Sequence, residues 1–323
     1  MHYFIYADAD ATLYEGESTQ SRNTGLDEIL EVRKDMNAAG TVINVSRALI
    51  KFDLTEITRS IVDGLIPSNN KPEPSASYFL NLYDAGSTGL TSTSQLLYAH
   101  IVSQSWTAGE GTFHDNPETT DGVSWRYLHG QNEGTQWVSG NNDTGGTWYS
   151  GSGYESYQTF TNEPADVRMD VTDIAWKWLH STVSNEGFMI KRSGSMEYST
   201  SENEGSTTHY GHFLYFGRDT HTVYQPKLEV VWDDSKWTTG SLSALSNTDV
   251  EDMVLYMRGL RPKYTENSKV KFRVVGRERF PAKTWSTTTT NQVTPKYLPS
   301  GSSYFEIKDA YTEDVLIPFG SGS

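Results

Sequence analysis

The feature that most narrows the folds open to this chain is a two-residue rhythm of apolar side chains, carried by short segments with turn residues between them. The segments are YFIYA near residue 3, EILEVR at 28, TVINVSRALIKFDL at 41, SYFLNLYD at 77, QLLYAHIVS at 95, GFMIKR at 187, HFLYFGR at 212 and KLEVVW at 227. In SRALIKFDL, Ala48, Ile50 and Phe52 share one side, opposite Leu49 and Lys51; in KLEVVW, Leu228, Val230 and Trp232 share one. Successive side chains of a strand point to opposite faces, so this alternation marks half-buried strands. With so little helical patterning, the sequence predicts an all-β chain: two antiparallel sheets packed face to face as a β-sandwich or jelly roll.

One segment breaks the rhythm. In DVTDIAWKWLHSTVSNEGFMIKR, Val171, Ile174, Ala175, Trp178 and Leu179 fall on one stripe of a helix of about three turns. Asp170 and Asp173 suit its start as cap and first-turn acid, and Lys177 and His180 suit its end, where positive charge meets the helix dipole. A helix this short is marginal alone in water. It is expected to dock its apolar stripe over an open end or edge of the sandwich, just before the strand GFMIKR.

Organisation along the chain follows from composition. Between Gln104 and Ala165 lies a long segment rich in Gly, Ser, Thr, Asn, Trp and Tyr, which holds four of the nine tryptophans. Irregular loops of this length are usually functional or packed on themselves. The pattern restarts after a Ser/Thr/Asn-rich linker at 235–249, with DMVLYMRGL, SKVKFRVVG, SYFEIKD and DVLIPFG. Val270, Phe272 and Val274 alternate there with Lys269, Lys271 and Arg273, which predicts another half-buried strand. The expected organisation is a sandwich over 1–234 with its aromatic loop at 104–165, the linker at 235–249, and a small all-β domain over 250–323.

Charge and composition exclude several functions. The formal net charge is −15 and no basic groove is visible, so nucleic acid is not an expected partner. No run approaches the 18 or so apolar residues of a membrane span, and the first residues lack the charged and apolar regions of a Sec signal. The absence of cysteine removes disulfides, thiolate metal sites and cysteine nucleophiles together. No G-x-S-x-G, H-E-x-x-H, P-loop or G-x-G-x-x-G motif occurs, and with 41 acidic residues no carboxylate pair stands out as a glycosidase dyad. The expectation is a protein that is not an enzyme and needs no cofactor.

Three sets of residues are candidate metal ligands: His209 and His212 of HYGH, Asp8 with Asp10, and Asp170 with Asp173. His209 and His212 point to opposite faces if the segment is a strand, the second Asp pair is accounted for by helix capping, and the first lacks the six or more oxygens of a hard-cation site. No metal is expected. For the aromatic segment, Trp106, Trp125 and Trp137 read as buried pins that hold the loop on the sandwich. Trp148, Tyr149, Tyr154 and Tyr157 are the candidates for contact with a ligand or partner, because aromatic faces offer large contact area at low entropic cost.

The order ADADATLYEGE, SRNTGLDEILEV, SRALIKFDL, SWTAGEGTF with DGVSW, DVTDIAWKWL, NEGFMIKR and YQPKLEVVW resembles the DNRLRE-type, disaggregatase-related β-sandwich module, over about residues 1–234. That resemblance implies a non-catalytic jelly roll of a kind found in bacterial surface proteins and polysaccharide-degrading enzymes, some members of which bind carbohydrate. The chain departs from that setting in starting at Met with no signal and in carrying no recognisable catalytic domain. Together with VLYMRGLRP, KVKFRVVGRERFP and KYLPSG, the module is similar to virion structural proteins of contractile-tailed phages, especially those infecting cyanobacteria. This implies a virion component of the neck, tail or surface decoration, assembled in the host cytoplasm. Its partners would be other virion proteins in multiple copies of a symmetric assembly. The alternative is a carbohydrate-binding module that recognises a host surface glycan.

Overall fold

A computed structural model describes residues 1–36, 43–62, 66–67, 76–90, 94–130, 134–138, 145–160, 166–192, 204, 208–233, 252–268, 270–280, 296–298 and 303–320. The predicted linker at 235–249 lies outside the described residues. The chain divides into two compact units, one of Met1–Glu56 with Asn69–Trp232, the other of Ile57–Ser68 with Asp233–Ser323.

In chain order the first strands are β1 (His2–Tyr6), β2 (Ala9–Tyr14), β3 (Ile29–Met36) and β4 (Ile43–Lys51), followed by helix α1 (Thr55–Val62). Next come β5 (Ala76–Leu82), β6 (Gln95–Ile101), β7 (Glu155–Phe160), β8 (Val167–Asp170), helix α2 (Thr172–Leu179), β9 (Phe188–Lys191), β10 (Gly211–Phe216) and β11 (Lys227–Trp232). The C-terminal region adds β12 (Met253–Arg258), β13 (Arg273–Glu278), β14 (Phe305–Lys308) and β15 (Val315–Gly320). The protein is an antiparallel all-β sandwich followed by a small second all-β region.

One layer is the four-stranded sheet β1-β11-β5-β8. Its register sets Leu228 between Ile5 and Leu80, and Val230 between Tyr3 and Tyr78, so these side chains share one face. Leu80, Tyr78, Leu228, Val230, Val167 and Met169 are all buried. At roughly 1.5–3 kcal/mol for each large apolar side chain taken from water, this face alone accounts for much of the drive to stack on a second layer. The outer face mixes ion pairs with aromatic rings: Glu229 bonds His2 Nδ1 at 2.6 Å and Arg168 Nε at 3.0 Å, while the Arg168 guanidinium lies 3.7 Å from the centre of the Phe79 ring.

The second layer runs β10-β3-β4-β9-β6-β7, with β2 also along β4, and it curls as a half-barrel. The curl passes through β4, whose first residues pair with β3 and whose remainder lies between β2 and β9. Here the structure corrects the half-buried reading of SRALIKFDL. Ala48, Ile50 and Phe52 are buried, but so are Leu49 and Arg47 on the other side, because a second covering lies over that face. Lys51 keeps the expected outward position and pairs with Glu186 at 2.9 Å.

Helix α2 buries Ile174, Ala175 and Trp178, and Trp178 meets Phe188 of β9 edge-on with ring centres 4.7 Å apart. Asp170 Oδ1 accepts the Thr172 N–H at 2.9 Å and the Thr172 hydroxyl at 2.6 Å, which fixes the helix start one residue later than a direct Asp170 cap. The sequence pattern points to one helix, whereas the described residues contain two. At α1 the same device recurs, with Asp53 Oδ1 accepting the Thr55 N–H at 2.9 Å and its hydroxyl at 2.6 Å. DLTEI and DVTDI are thus the same start signal, with Ile57 and Ile174 both buried.

In the C-terminal region, β12 pairs with β13 and β14 with β15, each as a two-stranded antiparallel ribbon. The predicted alternation of Val270, Phe272 and Val274 does not become a half-buried face: the strand spans Arg273–Glu278, and the three side chains are 37%, 48% and 44% exposed. Among the described residues no second sheet covers that face.

Candidate functional site

The segment after β6 lies on the half-barrel face that carries Leu49, and its tryptophans enter one apolar cluster. Trp106, Trp125, Trp137 and Trp148 are buried there with Ala11, Leu13, Val45, Leu49 and Met189. The indole N–H of Trp106 donates to the Glu186 carbonyl at 2.8 Å, and that of Trp137 to the Ser124 carbonyl at 2.9 Å. Trp106, Trp125 and Trp137 therefore stand as the pins that the sequence predicts.

A buried asparagine locks the same segment in place. The Asn23 amide donates to the carbonyls of Ala108 (2.6 Å) and Val123 (2.8 Å), and its oxygen accepts the N–H groups of Gly111 (2.8 Å) and Gly25 (3.2 Å). Gly109, with φ of +82°, passes so close that a Cβ there would lie 2.5 Å from Asn23 Oδ1 and 2.4 Å from the Asp121 carbonyl oxygen. Glycine is required for this approach. The stretches SRNTG, SWTAGEG and DGVSW, distant in sequence, meet at this one point.

Beneath the loop lies a buried ionic triad. Arg47 donates to Glu204 through Nη2 at 2.8 Å and Nε at 3.3 Å, and Lys191 Nζ lies 3.4 Å from Glu204 Oε2. The Arg47 guanidinium lies 4.5 Å from the Trp125 ring centre and 5.0 Å from that of Trp148, with Lys191 Nζ 4.6 Å from Trp148. Burial pushes the Glu204 carboxyl up, but the two cations outweigh it and hold its pKa at about 2. Burial also dominates at Lys191, whose pKa falls to about 8 although Glu204 pulls it upward. All three side chains are almost fully out of water, so the triad is an internal clamp.

The four contact candidates separate. Trp148 is inside, 7% exposed, because its ring seals Arg47 and Lys191 from solvent. Tyr149 is 40% exposed and tilts against Tyr154 with ring centres 5.6 Å apart, and Lys177 Nζ of α2 lies 4.4 Å from the Tyr154 ring centre. Tyr157 is 60% exposed and packs 5.5 Å from Tyr98, its cross-strand partner on β6. Three tyrosines thus border the surface along β7, with His100 beneath them 3.3 Å from Glu155.

No group of three or more His, Asp or Glu side chains able to hold an ion occurs among the described residues. His212 lies between two carboxylates of β3, with Nδ1 3.1 Å from Glu31 and Nε2 2.9 Å from Asp35. Its hydrogen bond to Glu31, aided by that to Asp35, raises its pKa, and the two contacts tie β10 to β3. His209 is exposed just before β10. Asp10 is buried, with Oδ2 accepting the Arg218 N–H at 2.6 Å and Oδ1 with no hydrogen-bond partner among the described residues. Burial raises its carboxyl to about 7, against the pull of Arg218. Asp8 contributes its carbonyl oxygen, which accepts from Arg218 Nη1 at 2.6 Å. Among the described residues no helix is long and apolar enough to cross a membrane.

No family model matches the chain, and no curated protein matches it either.

Proposed function

We propose that this chain is a non-enzymatic structural component of a tailed-phage particle, at the neck, tail or surface, and that it acts through protein–protein contacts. The observation that carries this reading is the surface of the C-terminal ribbons, where Leu255, Met257, Leu316 and Phe319 are 53%, 49%, 64% and 69% exposed. Apolar rows of this kind mark interaction surfaces. The likeness of the motif order to the DNRLRE-type module and to phage virion proteins supports the same reading. A sandwich clamped from within by Asn23 and by the Arg47–Glu204–Lys191 triad makes a rigid block, and symmetric repetition turns modest contacts into a lasting assembly. Particles purified by density gradient should contain the chain in multiple copies by quantitative mass spectrometry; its absence from mature particles overturns the reading.

A second reading, carbohydrate binding, is favoured by the exposed Tyr149 and Tyr157 and by the half-buried Tyr154, which lies beside Lys177. Tyrosine faces and a nearby ammonium suit stacking on sugar rings and bonding to their hydroxyls. A glycan array tests it: retained hits that disappear with Tyr149→Ala and Tyr157→Ala support it, and an empty array counts against it.

A further inference from the structure

The outer face of the β1-β11-β5-β8 sheet is open to solvent. Phe4 and Tyr6 alternate along β1 with the less exposed Tyr3 and Ile5, and are 42% and 54% exposed. The register sets Phe4 and Phe79 on either side of Glu229, and Tyr6 and Asn81 on either side of Lys227, all on that face. Lys227 Nζ lies 4.8 Å from the Phe4 ring centre and 4.8 Å from that of Tyr83, and Tyr83 tilts against the 47% exposed Tyr224 with ring centres 5.3 Å apart. Phe4, Lys227, Tyr83 and Tyr224 thus form one narrow strip, with an ammonium held between rings.

The charges on this face do not cancel. Glu229 is taken up by His2 and Arg168, and Asp170 at the margin accepts from Thr172. Among the described residues the Lys227 ammonium has the two rings beside it and no carboxylate. In a chain of net charge −15, a cation left over on an aromatic face calls for an anionic group from outside. The strip is one ring wide and interrupted by charge, so it lacks the continuous apolar centre of a protein interface. It also lacks the basic groove that tracks a nucleic-acid backbone. The partner that fits is a narrow chain presenting flat faces to the rings and carboxylates to the ammonium.

We propose that this face binds an acidic polysaccharide, its sugar rings stacked on Phe4 and Tyr224 and a uronate carboxylate paired with Lys227. The site lies on the other layer from Tyr157 and is independent of the glycan surface described above.

The test is isothermal titration of the full chain with oligogalacturonate and oligomannuronate, with neutral galactan and mannan oligomers as controls. The acidic oligomers should bind, more weakly as salt rises, and the neutral ones at least about tenfold more weakly. Phe4→Ala, Tyr224→Ala and Lys227→Met should each weaken acidic binding at least about tenfold, and Lys227→Arg should keep it. Far-ultraviolet circular dichroism matching the wild type shows that the variants fold. No binding of either acidic oligomer at about 1 mM, equal binding of the neutral ones, or variants that bind like the wild type each overturns the proposal. Sedimentation velocity adds one more outcome: self-association that Phe4→Ala abolishes makes a second copy the occupant and overturns it too. Tyr149→Ala should leave this binding unchanged; binding lost with Tyr149→Ala and kept with Phe4→Ala belongs to the other surface and defeats this site while leaving the earlier carbohydrate reading standing.

Discussion

Replacing Glu204 by Gln tests whether the triad holds the sandwich and its loop together. The substitution keeps size and shape but leaves Arg47 and Lys191 as buried cations without their carboxylate. Glu204 is held at about 2, some two units below a free carboxyl, and each unit corresponds to about 1.4 kcal/mol, so the charged form contributes about 3 kcal/mol. Breaking a buried pair by removing one partner costs about 3–5 kcal/mol by the same logic. Urea unfolding at pH 7, followed by tryptophan fluorescence, should show a loss of that size. Because the folded pKa lies below the unfolded one, this stability is complete above the unfolded value near 4.5 and disappears as pH falls through about 2. The wild type should therefore lose stability steeply between pH 5 and 2, and the variant much less. Lys191→Met should cost less than Glu204→Gln, because it leaves a neutral Arg47–Glu204 pair. A Glu204→Gln protein within about 1 kcal/mol of the wild type, with an unchanged acid profile, would refute the reasoning.

Asn23→Ala strips partners from two carbonyls and two N–H groups at once, and should lower stability by roughly 3–5 kcal/mol in the same urea assay, with increased proteolysis in the 104–130 region. Gly109→Ala meets both a left-handed backbone and the Asp121 carbonyl, and should cost more than about 2 kcal/mol by thermal unfolding. Asp10, raised to about 7, stabilises the fold fully below its unfolded value near 3.8, and that contribution is lost as pH rises through about 7. Stability should thus fall between about pH 4 and 7 and level off above, and Asp10→Asn should flatten the slope; a slope left unchanged by the variant counts against a buried carboxyl at that site.

Much of the sandwich is legible in the sequence wherever one face of a strand is apolar and the other polar, as in KLEVVW, where Leu228, Val230 and Trp232 are buried as their alternation implies. Strands without that contrast are not. In β2, Asp10 and Thr12 lie buried on one side and Ala11 and Leu13 on the other, so no polar face marks it. β7, ESYQTF, carries no apolar alternation, and β8 has four residues. Helix α1 escapes because TEITRSIV has a short apolar stripe, although its DLTEI start repeats that of α2. The tryptophan pins are readable from composition. The burial of Trp148 is not, since it depends on Arg47 and Lys191, which periodicity assigns to the polar side of their strands. Asn23 is invisible for a similar reason: its four partners are backbone groups brought together only by the folded loop.

The most direct measurement of the central claim is cryo-electron microscopy of purified particles, with the density searched for this sandwich. The account predicts repeated copies, with the exposed rows of β12–β15 covered by neighbouring protein. Particles without the chain, or copies whose ribbons stand bare in solvent, would contradict it.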